Sequence, residues 1–300
     1  MSGERLGLAL GSGSARGLAH IGVLKVLDRE RLPIHMIAGT SIGALIGGAY
    51  AVGMTPQEME EVALSIDIKR LVSLVDIARP STALVNGRRV EKFIRDLLGG
   101  KTFADTRMPF ECVAVDVTNG QEVVLREGDL ASAIRASLST PVIFAPVERD
   151  GRLLVDGAVL NPIPVDVAKN MRADVVVAIT NLGVPRSRMP VYSNDDQKVE
   201  VSEVKGRGFP DIVYSRALDA VMSKLRSPSV YQLAASSVDL MQRELSESRL
   251  RTADLVIAPL IDDVYYYNFY EAAKMISMGE KAAEMAVKEI ENLLAARQSM

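Results

Sequence analysis

At 300 residues with a net charge of −3, the chain has enough length for one large α/β domain or two small ones, each with an ample core. The near-balanced charge, and the lack of a basic stripe interleaved with aromatics, argue against nucleic acid as a main partner. A single cysteine, Cys112, excludes a disulfide framework and a thiolate metal cluster; its setting in Phe110-Glu111-Cys112-Val113-Ala114-Val115 reads as a packed strand thiol.

The chain reaches the apolar run Leu6-Gly7-Leu8-Ala9-Leu10 almost at once, with no basic region leading into a long apolar core. No secretory signal is read, and a cytoplasmic location is expected by default. Residues 5–10 read as a first buried strand. The loop Gly11-Ser12-Gly13-Ser14-Ala15-Arg16-Gly17 follows, then a helix over 18–31 with apolar residues at helical spacing. A second short apolar run after Pro33 reads as a strand, and residues 42–52 as a small-residue helix. Strand–loop–helix repeated in this way predicts a parallel sheet covered by helices on both faces. Residues 32–57 contain no Asp, Glu, Lys or Arg, long enough to cross a bilayer, but Pro33 and five glycines favour strand plus buried helix.

Thr55-Pro56-Gln57-Glu58 predicts a capped helix start. Residues 71–86 are irregular, Asn86-Gly87 marks a turn, and 88–98 is a short amphipathic helix ended by Gly99-Gly100. Strands at 110–117 and 121–126 flank the hairpin signal Thr118-Asn119-Gly120. Residues 130–138 read as a helix, Asp150-Gly151 as a surface hairpin, and 153–155 as a strand running into Asp156-Gly157-Ala158. A short helix over 165–171 and a buried strand over 174–180 follow. Residues 183–210 are polar and proline-bearing and read as a surface excursion, either a lid or a plain loop. Helices at 211–225 and 230–245, a strand at 253–259 and a long terminal helix at 269–297 complete the chain. Tyr265-Tyr266-Tyr267-Asn268-Phe269-Tyr270 reads as the approach to that helix, packed on the core, rather than as an interfacial anchor. Without an internal repeat or a linker that would split it, residues 1–300 read as one domain.

The chemistry centres on Gly39-Thr40-Ser41-Ile42-Gly43. A strand that turns at once into a helix forces strained angles on the corner residue, and flanking glycines remove the side chains that would collide. Ser41 would then be presented at the strand's C-terminal edge. A serine hydroxyl needs a neighbour to take its proton. Both histidines, His20 and His35, precede Ser41, which excludes the Ser–Asp–His order of α/β-hydrolases and leaves them packing or hydrogen-bonding roles. A shielded carboxylate can do the same work. Asp156 is the best candidate: it ends an apolar strand, and Gly157 supplies a turn to aim it inward. Asp150, also before a glycine, sits among polar residues. The loop from Gly11 to Gly17 precedes a helix, so its amides can hold a developing oxyanion, with Arg16 adding charge or bracing the loop. A dinucleotide site is a weaker reading of that loop. Its last glycine comes one place late, and Gly39-Thr40-Ser41 stands where an acidic residue would hold a ribose.

Taken together and in order, the loop, the serine motif and Asp156-Gly157-Ala158 resemble the patatin-like phospholipases. Arg135-Ala136-Ser137 with Pro141, and Asn161-Pro162 with Pro164, extend the resemblance, which covers residues 5–180 well. It implies a three-layer α/β fold with a central, mostly parallel sheet and a Ser–Asp dyad in place of a triad. It implies Ser41 as nucleophile, Asp156 as general base, and Gly13 and Ser14 amides as oxyanion donors with Ser12 adjacent. It implies an acyl-serine intermediate on phospholipid or lysophospholipid esters, no cofactor or metal, and peripheral membrane contact. Two alternatives stay open: a thioesterase or carboxylesterase with the same dyad, and a low-turnover lipid-binding or regulatory protein on the same fold. The family's glycine triplet falls on Ser12-Gly13-Ser14 here, so a positive φ at residue 14 would carry a side chain. No oligomeric state follows from the sequence.

Overall fold

The structure is a computed structural model that describes residues 4–76, 83–181, 230–261 and 268–298. The expected excursion at 183–210, the helix at 211–225 and Tyr265–Tyr267 lie outside the described residues.

Strand β1 (Leu6–Leu10) is followed by a 3-10 turn (Ser14–Leu18), helix α1 (Ala19–Arg29), β2 (Ile34–Thr40) and α2 (Ile42–Ala51). Helices α3 (Pro56–Leu64), α4 (Ile68–Leu74) and α5 (Arg88–Leu97) lead to the hairpin β3 (Phe110–Asp116) and β4 (Gln121–Leu125). Then come α6 (Leu130–Ser137), the hairpin β5 (Val147–Arg149) and β6 (Arg152–Asp156), α7 (Val165–Asn170) and β7 (Val175–Ile179). The last elements are α8 (Val230–Leu250), β8 (Leu255–Ile257) and α9 (Ala272–Gln298).

These strands form one sheet. β1 is central, parallel to β2 on one side and β7 on the other; β2 continues parallel to β3, and β7 to β8. β4, β5 and β6 add the antiparallel pairings. Alternation along the strands separates two cores. Leu6, Leu8 and Leu10 join the larger core with α1, α2, α6 and α9. Ala9, Ala38, Val113, Val176 and Ala178 face the other way, onto Val165, Val167 and Ala168 of α7. This is the three-layer α/β arrangement expected. The uncharged stretch at 32–57 is β2, α2 and the start of α3, and among the described residues no helix is long and apolar enough to cross a membrane.

The differences from expectation are local. Residues 68–74 form a helix held by the Asp67 cap, whose side chain accepts from the Arg70 amide, so residues 71–74 are helical where irregular chain was expected. The helix expected from residue 18 begins as a 3-10 turn at Ser14, because the glycine-rich loop tightens into it. The terminal helix likewise starts as a 3-10 turn, Phe269–Glu271, with Phe269 packed on the core and Tyr270 exposed. The capping box at Thr55 and Glu58 forms as read. Asp150 and Gly151 both take positive φ, 51° and 73°, as a tight two-residue hairpin turn demands.

The register on β3 brings the ends of two strands together. On β3, Val113 pairs with Thr40 of β2, and the next residue, Ala114, pairs with Asp156 of β6. β4 covers the opposite edge of the same two residues. β2 and β6 therefore lie end to end along one edge of β3. Because β2 runs parallel to β3 and β6 antiparallel, their C-terminal ends meet.

Candidate active site

Ser41 follows the last residue of β2 and precedes the first of α2, at φ 57° and ψ −122°. A side chain at such angles costs of order 1–3 kcal/mol and persists only where the surroundings enforce it. Here they do. A Cβ on Gly43 would run into the carbonyl oxygen of Leu10, and one on Gly39 would lie 2.6 Å from the Gly43 carbonyl oxygen. Both glycines are thus required by the close approach of α2 to β1 and β2. The Ser41 amide donates to Ser137 Oγ at 2.9 Å, and Ser137 Oγ donates to the Val113 carbonyl at 2.6 Å. That hydroxyl spans the gap in the β3 edge where β2 has ended and β6 has not begun. Thr40 Oγ1 donates to the Asn161 carbonyl at 2.9 Å, tying the corner to the segment beyond Asp156.

Asp156 arrives from the other side. Gly157 passes so close to β3 that a Cβ would strike the Val113 carbonyl. Ser41 Oγ donates to Asp156 Oδ2 at 2.9 Å, Thr140 Oγ1 donates to the same oxygen at 2.8 Å, and the Ala158 amide donates to Oδ1 at 2.9 Å. Asp156 is 2% exposed and Ser41 6%. Burial raises the Asp156 pKa from 3.8 to about 6, against the pull of these three donors and of the Arg135 charge. The carboxylate is therefore mostly ionised at neutral pH, yet basic enough to accept a hydroxyl proton.

The loop after β1 lies against this pair. Gly11 N donates to the Ile179 carbonyl, and Ser12 N to the Pro162 carbonyl at 2.8 Å. The Ser12 amide is thus engaged in holding the loop. Gly13 takes φ 152° and Ser14 φ 50°, so the strained angle foreseen at residue 14 does occur on a serine. Arg16 is buried beneath the loop. A Cβ on Gly17 would meet Ile42, the first residue of α2, so the loop and the serine corner pack directly on each other. The Gly11 carbonyl accepts from His20 Nε2 at 2.8 Å; burial lowers the His20 pKa to about 4, leaving it a neutral donor that fixes the loop. His35 Nδ1 accepts from the Leu6 amide. Both histidines hold backbone, as the sequence led one to expect. Burial raises the Cys112 thiol pKa to about 12, which makes it an inert core group.

Ser137 and Thr140 are the two side chains around the pair whose roles could not be assigned from sequence alone. The only local signal is the hydroxyl-rich run Ser137-Leu138-Ser139-Thr140 after a helix, ahead of Pro141. Arg135 fixes that run. Its guanidinium donates to Ser139 Oγ at 2.6 Å and to the carbonyls of Asn86, Gly87 and Ala145, and it lies over the Phe144 ring.

A buried serine on a strained strand–helix corner, facing a buried carboxylate beside a glycine-rich loop, gives this α/β protein a candidate nucleophile paired with a candidate base. The particular family follows from similarity: the patatin-like phospholipase profile matches residues 8–169, and the chain belongs to that family. An uncharacterised NTE-family protein of Mycobacterium tuberculosis is 37% identical over 179 residues, 60% of this chain and 49% of that one. Human patatin-like phospholipase domain-containing protein 6 is 35% identical over 185 residues, 60% of this chain and 13% of that one. The chain thus spans about half the length of the mycobacterial relative and a far smaller part of the human one. Among solved structures, VipD from Legionella pneumophila is similar with a TM-score of 0.48 and 12% identity, over 99% of this chain and 67% of that one. The type III effector ExoU is similar with a TM-score of 0.46 and 11% identity, over 97% and 54%.

Proposed function

We propose that the chain is a serine acyl hydrolase that cleaves acyl esters of phospholipids or lysophospholipids with Ser41 as nucleophile and Asp156 as general base. The observation that carries this is the 2.9 Å hydrogen bond from Ser41 Oγ to a buried carboxylate whose pKa is raised to about 6. Asp156 takes the Ser41 proton as Oγ attacks the ester carbonyl. Amides of Gly13 and Ser14 hold the oxyanion. Asp156 passes the proton to the departing alcohol, leaving an acyl-serine. Water then attacks this intermediate, giving its proton to Asp156; collapse releases the fatty acid and restores the Ser41 hydroxyl. Every step uses groups of this chain. Family membership supports a lipid substrate, and a lipid in a bilayer requires peripheral contact of the protein with the membrane, on its cytoplasmic side.

The test is intact-mass analysis after treatment with a fluorophosphonate ester, followed by peptide mapping, alongside hydrolysis of phospholipid vesicles, lysophospholipid, acyl thioester and short-chain ester. One adduct on Ser41, lost in Ser41→Ala, with lipid esters hydrolysed fastest, is the expected result. A folded protein that takes no adduct would refute the activated serine. Preference for the thioester or the short ester would keep the dyad and replace the substrate class.

A further inference from the structure

Asp156 has two oxygens and three donors. Oδ1 takes the Ala158 amide, and Oδ2 takes both the Ser41 and the Thr140 hydroxyls, at 2.9 and 2.8 Å. The oxygen that must receive the Ser41 proton is therefore already held by a second hydroxyl. Thr140 itself is tightly fixed. The amides of Ile143 and Phe144 both donate to its carbonyl, closing a turn in which Val142 takes φ 74°. A β-branched residue at that angle is strained, so the turn survives only because its surroundings enforce it. They are the Arg135 bonds to Ser139 and Ala145 and the pairing of Val85 with Phe144. The Ser139 carbonyl in turn accepts the Asp156 amide at 3.0 Å. One short strained segment thus anchors Asp156 by its backbone and by its side chain.

We infer that Thr140 is a positioning residue for the dyad: its hydroxyl aims Asp156 Oδ2 at Ser41 and sets the lower pH limit at which that carboxylate can act as base. The inference rests on the dyad reading above. A hydroxyl donated to Oδ2 stabilises the carboxylate and opposes protonation of that oxygen. Without it, a carboxylate this buried would hold its proton to higher pH, and less of the protein would be active near neutrality. Charged and titratable groups on the elements packed against Asp156 include Arg135 on α6, Glu111 and Asp116 on β3, Glu148 and Arg149 on β5, and Arg249 on α8. Arg135 is the one whose charge acts on Asp156, and its own bonds go to carbonyls and a hydroxyl, leaving Thr140 as the adjustable contact.

The experiment compares Thr140→Val, which keeps the shape and removes the hydroxyl, with Thr140→Ser, which restores it. Two readouts are taken: the pH profile of kcat/KM on an ester, and the titration of the Asp156 carboxyl carbon by 13C NMR in a Ser41→Ala background, assigned by its absence from Asp156→Asn. In Thr140→Val both the acidic limb and the carboxyl titration should move up by about one pH unit, the size of one lost charge-assisted hydrogen bond. Thr140→Ser should return both toward the parent. A fall in plateau rate with an unmoved carboxyl titration would overturn the inference and leave Thr140 a structural role only. If the parent protein hydrolyses no ester, the function reading fails. The carboxyl titration still decides Thr140: a rise supports its hold on Asp156, and no change overturns it.

Discussion

Replacing Asp156 by Asn should make the protein more stable at pH 8 while abolishing ester hydrolysis. At that pH the native state holds a buried, ionised carboxylate whose pKa has been raised from 3.8 to about 6. A group with a raised native pKa binds its proton more readily when folded, so its stability contribution is fully present below pH 4 and lost as pH rises through 6. At about 1.4 kcal/mol per pH unit, the cost at pH 8 is about 3 kcal/mol. Asparagine avoids that charge and keeps the contacts. Its Oδ1 can accept from the Ala158 amide, and its Nδ2 can donate to the Ser41 or Thr140 hydroxyl, each of which can also accept. His20 works in the opposite direction. Its pKa is lowered to about 4, so its contribution rises with pH between 4 and 6.5. The two slopes largely cancel in the parent, and Asp156→Asn uncovers the His20 slope. Urea unfolding of both proteins from pH 4 to 8 measures this. The variant should gain as much as about 3 kcal/mol over the parent at pH 8 and almost nothing at pH 4. A difference that does not change with pH, or a variant less stable at pH 8, would refute the claim that a buried charge is carried there.

Further predictions concern the corner. Gly43→Ala places a Cβ against the Leu10 carbonyl, backbone that cannot yield cheaply, and should cost about 2–4 kcal/mol in thermal or urea unfolding. Ser137→Ala removes the bridge between the Ser41 amide and the Val113 carbonyl, stranding two buried backbone groups. It should cost about 2–4 kcal/mol of stability and lower kcat more than it raises KM, read by unfolding and steady-state kinetics on one ester.

The serine corner could be read almost completely from the chain. Its signals are local in the chain: the glycine–serine–glycine spacing stands between an apolar run and a small-residue helix, although Gly39 relieves a collision with α2 and Gly43 one with the Leu10 carbonyl of β1. The carboxylate was a different problem. Val115-Asp116 and Val155-Asp156 both end apolar strands, and both aspartates are almost fully buried, at 3% and 2% exposure. Asp116 turns to its own hairpin, accepting from the Thr118 amide and hydroxyl, and its pKa is lowered. Asp156 meets a hydroxyl 115 residues earlier in the chain, and its pKa is raised to about 6. Asp116-Val117 leads into a polar turn and Asp156-Gly157 into a close approach to β3, so the following residue carries part of the distinction. Ser12 shows the converse: its loop was recognisable, but the engagement of its amide by Pro162 depends on a segment far along the chain.

By itself the sequence determined the strand–helix order, the strained serine corner and the absence of a histidine that could follow the aspartate. Short-range sterics and residue counts decide such things. Only the tertiary structure decided that β2 and β6 end head to head on one edge of β3, that Ser137 closes the gap between them, and that Thr140 shares the oxygen facing Ser41. Those facts depend on the register of strands distant in sequence, which no local pattern encodes.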